Sequence, residues 1–249
     1  MDQGCEALAW CCRSVAYMLA TVQRPGRGAL LLRFPKHNRE RTSVPDRLIM
    51  YVDGFNLDHG LRDEARHRLL WLDLVKMATL LRPRSSLIKV HYFTAPVLDD
   101  PAAASRQSQY QQAMMSLHPA IIEITQGRYQ KKPVTCRKCG DVRTLYEEKE
   151  TDVNIATAMI EDAARGAADS ALVVSADSDL SPAIHAIRRL QPSMFVAAAF
   201  PPSRYSAELK KWMPASFHIS RAKLNAAQLP STVTDAATGR TYHRPTKWN

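Results

Sequence analysis

Cysteine is scarce in this chain. Five fall among 249 residues, at Cys5, Cys11, Cys12, Cys136 and Cys139. An odd number without a regular framework argues against a disulfide-stapled secreted scaffold and for a reducing, cytoplasmic setting. Long apolar runs free of charge are missing as well. The stretch closest to a membrane span, Ala7 to Val22, is interrupted by Arg13, and an arginine at the centre of a span costs about 2.5–3.5 kcal/mol on insertion scales. A signal peptide is disfavoured because Asp2 and Glu6 stand where a positive n-region belongs and no convincing cleavage site follows. Acidic residues are in deficit, 24 against 34 Lys and Arg, for a formal net charge of +10. That balance favours a polyanionic partner such as nucleic acid.

Hydrophobic residues at 45% and charged residues at 23% are those of an ordinary folded protein, long enough for one domain with appendages or two small ones. Residues 1–45 are rich in Arg, Pro and turn formers, lack periodicity, and read as a flexible extension. Order begins at Asp46. RLIMYV (47–52) is a buried parallel strand ended by Asp-Gly and a loop. The spacing of LLWLDLVKMATLL (69–81) predicts a helix and LIKVHYF (87–93) a second strand. PAAASRQSQYQQAMMSL (101–117) is a helix with Pro in its first turn, and IIEIT (121–125) a third strand. After a polar insertion at about 126–149 the alternation resumes: helix 151–166 stopped by Gly166, strand 170–176, helix 180–190, strand 193–200 and helix 203–213. Alternation of this kind predicts an α/β architecture, a mostly parallel sheet with helices on both faces. The domain is expected to span 46–220. Residues 221–249 read as a loosely structured basic tail, in which Arg240, His243, Arg244 and Lys247 with Tyr242 and Trp248 suggest either a solvated terminus or a surface for a nucleic acid strand.

In such sheets ligands sit beyond the carboxyl ends of the strands. Asp53 directly follows the first strand, Asp177 and Asp179 follow ALVVSA, and Asp152 opens a helix facing the same edge. Singly each has a structural use, as turn former or helix cap. Together they are costly, since two like charges about 4 Å apart repel by roughly 1 kcal/mol in water and about 4 near a protein surface. Hard divalent ions such as Mg²⁺ or Mn²⁺ relieve that repulsion and leave room in their shell for substrate phosphates. Asn56 adds a neutral group that orients water or phosphate, and Ser175 and Ser178 add hydroxyls. Capping and a metal–phosphate site both remain open on these residues alone.

Taken in order, VDGFNL (52–57), KETDVNIA (149–156) and SADSDLSPAI (175–184) resemble the NYN family of PIN-like nuclease domains, over about 170 residues. The resemblance implies a Rossmann-like three-layer α/β/α fold, a Mg²⁺ or Mn²⁺ site formed by Asp53, Asp152, Asp177 and Asp179 with Asn56 as companion to the first acid, and RNA as substrate. Ser175 and Ser178 match the small polar positions around the last acidic pair. Family members often carry Gly and Phe where this chain has Ala176 and Leu180, a change that leaves the carboxylates intact. The implied chemistry is metal-assisted hydrolysis with no covalent nucleophile.

Cys136 and Cys139 have the spacing of half a zinc knuckle. Without a second pair an unmetallated hairpin is the preferred reading over structural Zn²⁺. Lys131, Lys132, Arg137 and Lys138 make that hairpin strongly basic, either a guide for RNA or a solvated loop. The expected function is therefore a metal-dependent ribonuclease. The alternatives are a non-catalytic RNA- or nucleotide-binding regulator, and a phosphatase or DNA nuclease using the same metal chemistry. No membrane partner is expected, and self-association is left open.

Overall fold

The computed structural model describes residues 45–135 and 139–249, with backbone alone for 145–148. The readings made on residues 1–44 and on Cys136, Arg137 and Lys138 lie outside the described residues. In chain order the first elements are β1 (Asp46–Asp53), α1 (Gly54–Ala65), α2 (Leu74–Leu81), β2 (Ser85–Thr94), α3 (Pro101–Leu117) and β3 (Ile122–Gln126). There follow β4 (Arg128–Thr135), β5 (Val142–Lys149), α4 (Thr151–Ala164), β6 (Ser170–Val174), α5 (Ser181–Leu190), β7 (Phe195–Phe200), α6 (Ala207–Trp212) and β8 (Phe217–His218).

Strand β1 is apolar from Leu48 to Val52 because it is covered there on both faces. Its pleat sends Leu48, Met50 and Val52 into one core and Ile49 and Tyr51 into the other. The first core is closed by α1, α2 and α3 through Leu57, Leu61, Met77 and Ala113. The second is closed by α4, α5 and α6 through Ile155, Met159, Ile184 and Leu209. The result is a three-layer α/β/α fold around a six-stranded sheet of order β3-β2-β1-β6-β7-β8, in which every neighbouring pair is parallel. Successive strands run outward from β1 to β3, and then outward the other way from β6 to β8. The reversal of order therefore falls between β1 and β6, where open α/β sheets part to form a crevice at their carboxyl edge.

Three expectations are corrected. Asp-Gly after β1 does not open a loop: α1 starts at Gly54, because the Asp53 side chain caps it by accepting from the Asn56 backbone N–H at 3.0 Å. The second helix begins at Leu74 and not at Leu69, capped by Asp73, which accepts from the Lys76 N–H at 2.9 Å.

The third correction concerns residues 221–249, which are ordered within the same compact unit as the sheet. They form α7 (Arg221–Ala226) and an antiparallel pair, β9 (Thr232–Thr234) with β10 (Thr241–His243). What holds them is the segment before α2: the Leu229 N–H donates to the Trp71 carbonyl at 3.0 Å, and the Trp71 indole N–H donates to the Pro230 carbonyl at 2.7 Å. Tyr242 and Trp248 are buried, so neither ring stands on a solvated tail. No helix among the described residues is long and apolar enough to cross a membrane.

One polar network lies inside the second core. The buried Tyr51 hydroxyl donates to Asp162 Oδ2 at 2.9 Å, and His91 Nε2 lies 3.2 Å from the same oxygen. Burial raises the Asp162 carboxyl, but the hydrogen bonds from His91 and Tyr51 outweigh it and hold the group below its ordinary value. A folded-state pKa that is depressed adds stability above the unfolded value of about 3.9 and loses it as pH falls through the folded value. Tyr51→Phe is expected to cost about 1 kcal/mol at neutral pH, and the deficit should shrink in acid. Urea unfolding of both proteins at neutral and acid pH measures this; an equal deficit at both would contradict the network.

Candidate active site at the carboxyl edge

The site begins with a glycine. A Cβ on Gly54 would lie 2.5 Å from the Phe93 carbonyl oxygen and 2.9 Å from the Tyr92 ring, and the backbone oxygen has no room to retreat. Glycine here lets α1 start at the end of β1, which aims the Asp53 carboxylate and Asn56 along the crevice. Gly54→Ala is expected to cost about 1–3 kcal/mol by overpacking. A melting curve superimposable on wild type would show that the approach is less tight than described.

From Asp53 a chain of hydrogen bonds crosses to the neighbouring strand. Asp53 Oδ2 accepts from the Ser175 hydroxyl at 2.8 Å, and Ser175 Oγ accepts from the Asp177 N–H at 3.0 Å. Asp177 Oδ1 accepts from the Asp179 N–H at 2.9 Å, so Asp177 caps the 3-10 turn Ser178–Leu180. In parallel, Asn56 Oδ1 accepts from the Ala176 N–H at 3.1 Å. The structure thus joins Asp53, Asn56, Ser175 and Asp177 across the switch point, and holds Asp179 there through its backbone N–H while its side chain is exposed. Ser175, expected at the substrate, is fully buried and bridges the Asp53 carboxylate to the Asp177 backbone N–H. Ser178 is exposed and lines the open cleft with Asn56 and Asp177.

Asp152 occupies the first turn of α4 and is half-buried, and α4 packs beside the Ser178–Leu180 turn. Before it, Glu150 adopts φ 80° and its carboxylate takes the Arg128 guanidinium, which assigns it to the hairpin base. The hairpin itself pairs β4 with β5 antiparallel, from Arg128 opposite Lys149 to Thr135 opposite Val142. Lys131 and Lys132 are consecutive on β4, so the pleat directs them to opposite faces of the ribbon, and a single strand laid on one face meets only one of them. Tyr129, which shares its face with Lys131, packs edge-on against Phe55 at 6.0 Å between ring centres. Cys139 is exposed.

Sequence reasoning missed Arg204 and Tyr205, which line the cleft with Asp177. Arg204 is ion-paired to Asp63 at 2.8 Å, and its Nε is buried with no hydrogen-bond partner. Tyr205 is 58% exposed, an unusual position for so large a ring, and lies beside His218 with ring centres 5.8 Å apart. The signal was present: both residues follow β7 at the same carboxyl edge that selected the aspartates.

Among the described residues, no three or more His, Cys, Asp or Glu side chains gather closely enough to hold a metal ion by themselves. The donor set nevertheless suits one class of ion. The cleft at Asp177 offers carboxylate, amide and hydroxyl oxygens with no thiolate or imidazole, which is the chemistry of Mg²⁺ and Mn²⁺, ions commonly held by one or two carboxylates with substrate phosphates and water completing the shell.

Comparison with known proteins bears on the family and the fold. The NYN domain profile matches residues 47–219. The chain is 27% identical over 235 residues to the 6-hydroxy-3-succinoylpyridine 3-monooxygenase HspA of Pseudomonas putida (strain DSM 28022 / S16), across 78% of this chain and 74% of that protein. In structure it resembles a protein of unknown function from Vibrio parahaemolyticus RIMD 2210633, with a TM-score of 0.50 and 20% identity over 71% of this chain and 94% of the other. A likeness at that identity concerns the fold alone.

Proposed function

The chain belongs to the NYN domain family, and we propose that it is a divalent-cation-dependent ribonuclease acting at the carboxyl edge of β1 and β6. The observation that carries this reading is the hydrogen-bonded line Asp53–Ser175–Asp177–Asp179 across the switch point, with Arg204 and the exposed Tyr205 beside it. In this proposal Asp53, Asp177 and Asp179, with Asp152 from α4, would hold Mg²⁺ or Mn²⁺, which when bound polarises a phosphate and lowers the pKa of water.

The chain's own residues do the rest. Arg204 donates to non-bridging phosphate oxygens as a charge-assisted pair, and Tyr205 gives a base a ring to stack on. Asn56, fixed through its carbonyl by Ala176, keeps its NH₂ for the incoming water or a phosphate oxygen. The carboxylates receive the proton that water loses as its oxygen bonds to phosphorus, and the bond to the leaving ribose oxygen breaks as that oxygen regains a proton. Lys131 of the hairpin contributes a phosphate contact. Replacing Lys131 should therefore lower the slope of log affinity against log salt by about 0.7, and replacing Lys132 should change it less. Equal slopes for wild type and both variants would make the hairpin a solvated loop.

The test is incubation of purified protein with labelled single-stranded RNA, matched DNA and a phosphomonoester, in Mn²⁺, Mg²⁺ or EDTA. Cleavage of RNA alone, and only with metal, is the expected result. Cleavage that persists in EDTA, or none of RNA under any condition, overturns the reading. A second reading draws on an aromatic-walled cavity beside Gly54 and Phe55 and on the name of the Pseudomonas relative. Under it the chain would act on a small substituted pyridine, and turnover of such a compound without RNA cleavage would select it.

A further inference from the structure

We infer that this cavity, on the other flank of α1 from the aspartates, is a binding site for one planar heteroaromatic ring carrying an anionic group. Its volume is about 210 Å³, below the roughly 300–1,000 Å³ of sites for drug-sized ligands, so it takes a single ring system and not a dinucleotide. The walls are aromatic. Tyr92 meets Tyr110 at 6.2 Å and 85°, and Tyr110 meets Trp248 at 6.0 Å and 77°. The Phe55–Tyr129 pair closes another side at 83°. All three pairs meet edge to face, so within them no ring is stacked flat on its neighbour.

The charges at this cavity are unequal. Arg62, Arg106 and Lys247 line it, against Asp58 and Asp100. Asp58 is taken by Arg62 at 2.5 Å, and Asp100 caps α3 by accepting from the Ala103 N–H at 2.8 Å. Among the described residues neither Arg106 nor Lys247 has a carboxylate partner, and with Asp100 still charged at its cap the lining keeps one positive charge in excess for an anion. His67 lines the same cavity, with Nδ1 buried and without a hydrogen-bond partner. Desolvation first, and then Arg62, Lys247 and Arg106, hold its imidazole below the ordinary value. It is therefore a neutral ring able to donate to or accept from a heteroatom of the ligand. Aromatic walls, a neutral imidazole and an excess of positive charge together describe the ligand: a ring with a heteroatom, and a phosphate or carboxylate attached to it. A base of an RNA strand with its phosphate has that chemistry, and so has a free heteroaromatic acid.

Calorimetric titration of the full chain in EDTA with uridine monophosphate, adenosine monophosphate and hydroxynicotinate tests this without requiring catalysis. At least one should bind at one equivalent. Arg106→Ala and Lys247→Ala should each weaken it about tenfold, or about 1.4 kcal/mol, and Ala103→Phe, which fills the cavity without changing its charge, should abolish it. If Ala103→Phe fails to fold, the two charge variants decide. Asp177→Asn should leave the binding unchanged, so failure here is separable from failure of the ribonuclease reading. Nucleotide binding identifies the RNA strand as the source, and binding of hydroxynicotinate alone identifies a free acid. No binding by any of the three, or binding indifferent to every cavity variant, overturns the inference.

Discussion

Asp177→Asn should reduce metal-dependent RNA cleavage by about 10²–10³-fold, the scale of removing one preorganised electrostatic group, without loss of melting temperature. Asn caps a turn about as well as Asp, and its carbonyl can keep the bond from the Asp179 N–H, now 2.9 Å. The substitution also removes a negative charge from the edge that carries Asp53 and Asp179, so stability should hold or rise. Asp53→Asn should abolish cleavage equally but move stability the other way. Asp53 is 4% exposed and uses both oxygens, one for the Asn56 N–H and one for the Ser175 hydroxyl. An amide at that position has one acceptor in place of two and leaves a buried group unsatisfied, at about 1–3 kcal/mol. Two carboxylates with one chemical role are thus separated by their structural roles, and thermal melts beside activity assays read both. If both variants melt alike, the hydrogen-bond chain does not hold the site together as described.

A larger change in stability is expected far from the aspartates. Trp248→Ala should cost about 3–5 kcal/mol, as large-to-small changes at buried aromatic positions do, and lower the melting temperature on the order of 10 °C. The ring packs against Trp71 at 6.3 Å and Tyr110 at 6.0 Å between centres, and Arg244 Nε donates to the Trp248 carbonyl at 3.0 Å. Removing the indole both opens a void in the first core and releases the segment that Trp71 anchors. Differential scanning calorimetry measures it; a shift under a few degrees would mean that residues 231–249 add little to the core.

That segment also shows where the sequence is hard to read. Strand β1, α3 and α5 announce themselves through local patterns: an unbroken apolar run, Pro at the first turn, and apolar positions at helical spacing. Residues 221–249 carry no such pattern, because their order comes from partners some 160 positions away, Pro230 with Trp71 among them. The same applies to β8, two residues at the sheet edge paired with Ala199 and Phe200, too short for any period to show. At the site, Asp53, Asp177 and Asp179 were legible because each follows a recognisable strand. Ser175 was legible as a neighbour of the aspartates but not as a buried bridge, since a hydroxyl's partners are set by packing across the sheet. Arg204 and Tyr205 follow a recognisable strand too, yet within a segment read as helix from Ser203, while the helix starts at Ala207 under its Ser206 cap.

The central claim is that the aspartates held at the switch point are chemical groups and not only caps. The most direct measurement is the rate of RNA cleavage against Mn²⁺ concentration for wild type, Asp53→Asn and Asp177→Asn, with melting temperatures taken on the same preparations. The account predicts a metal-dependent rate in wild type, its loss in both variants, a lower melting temperature for Asp53→Asn and an unchanged or higher one for Asp177→Asn. Retention of most of the wild-type rate by Asp177→Asn would contradict it.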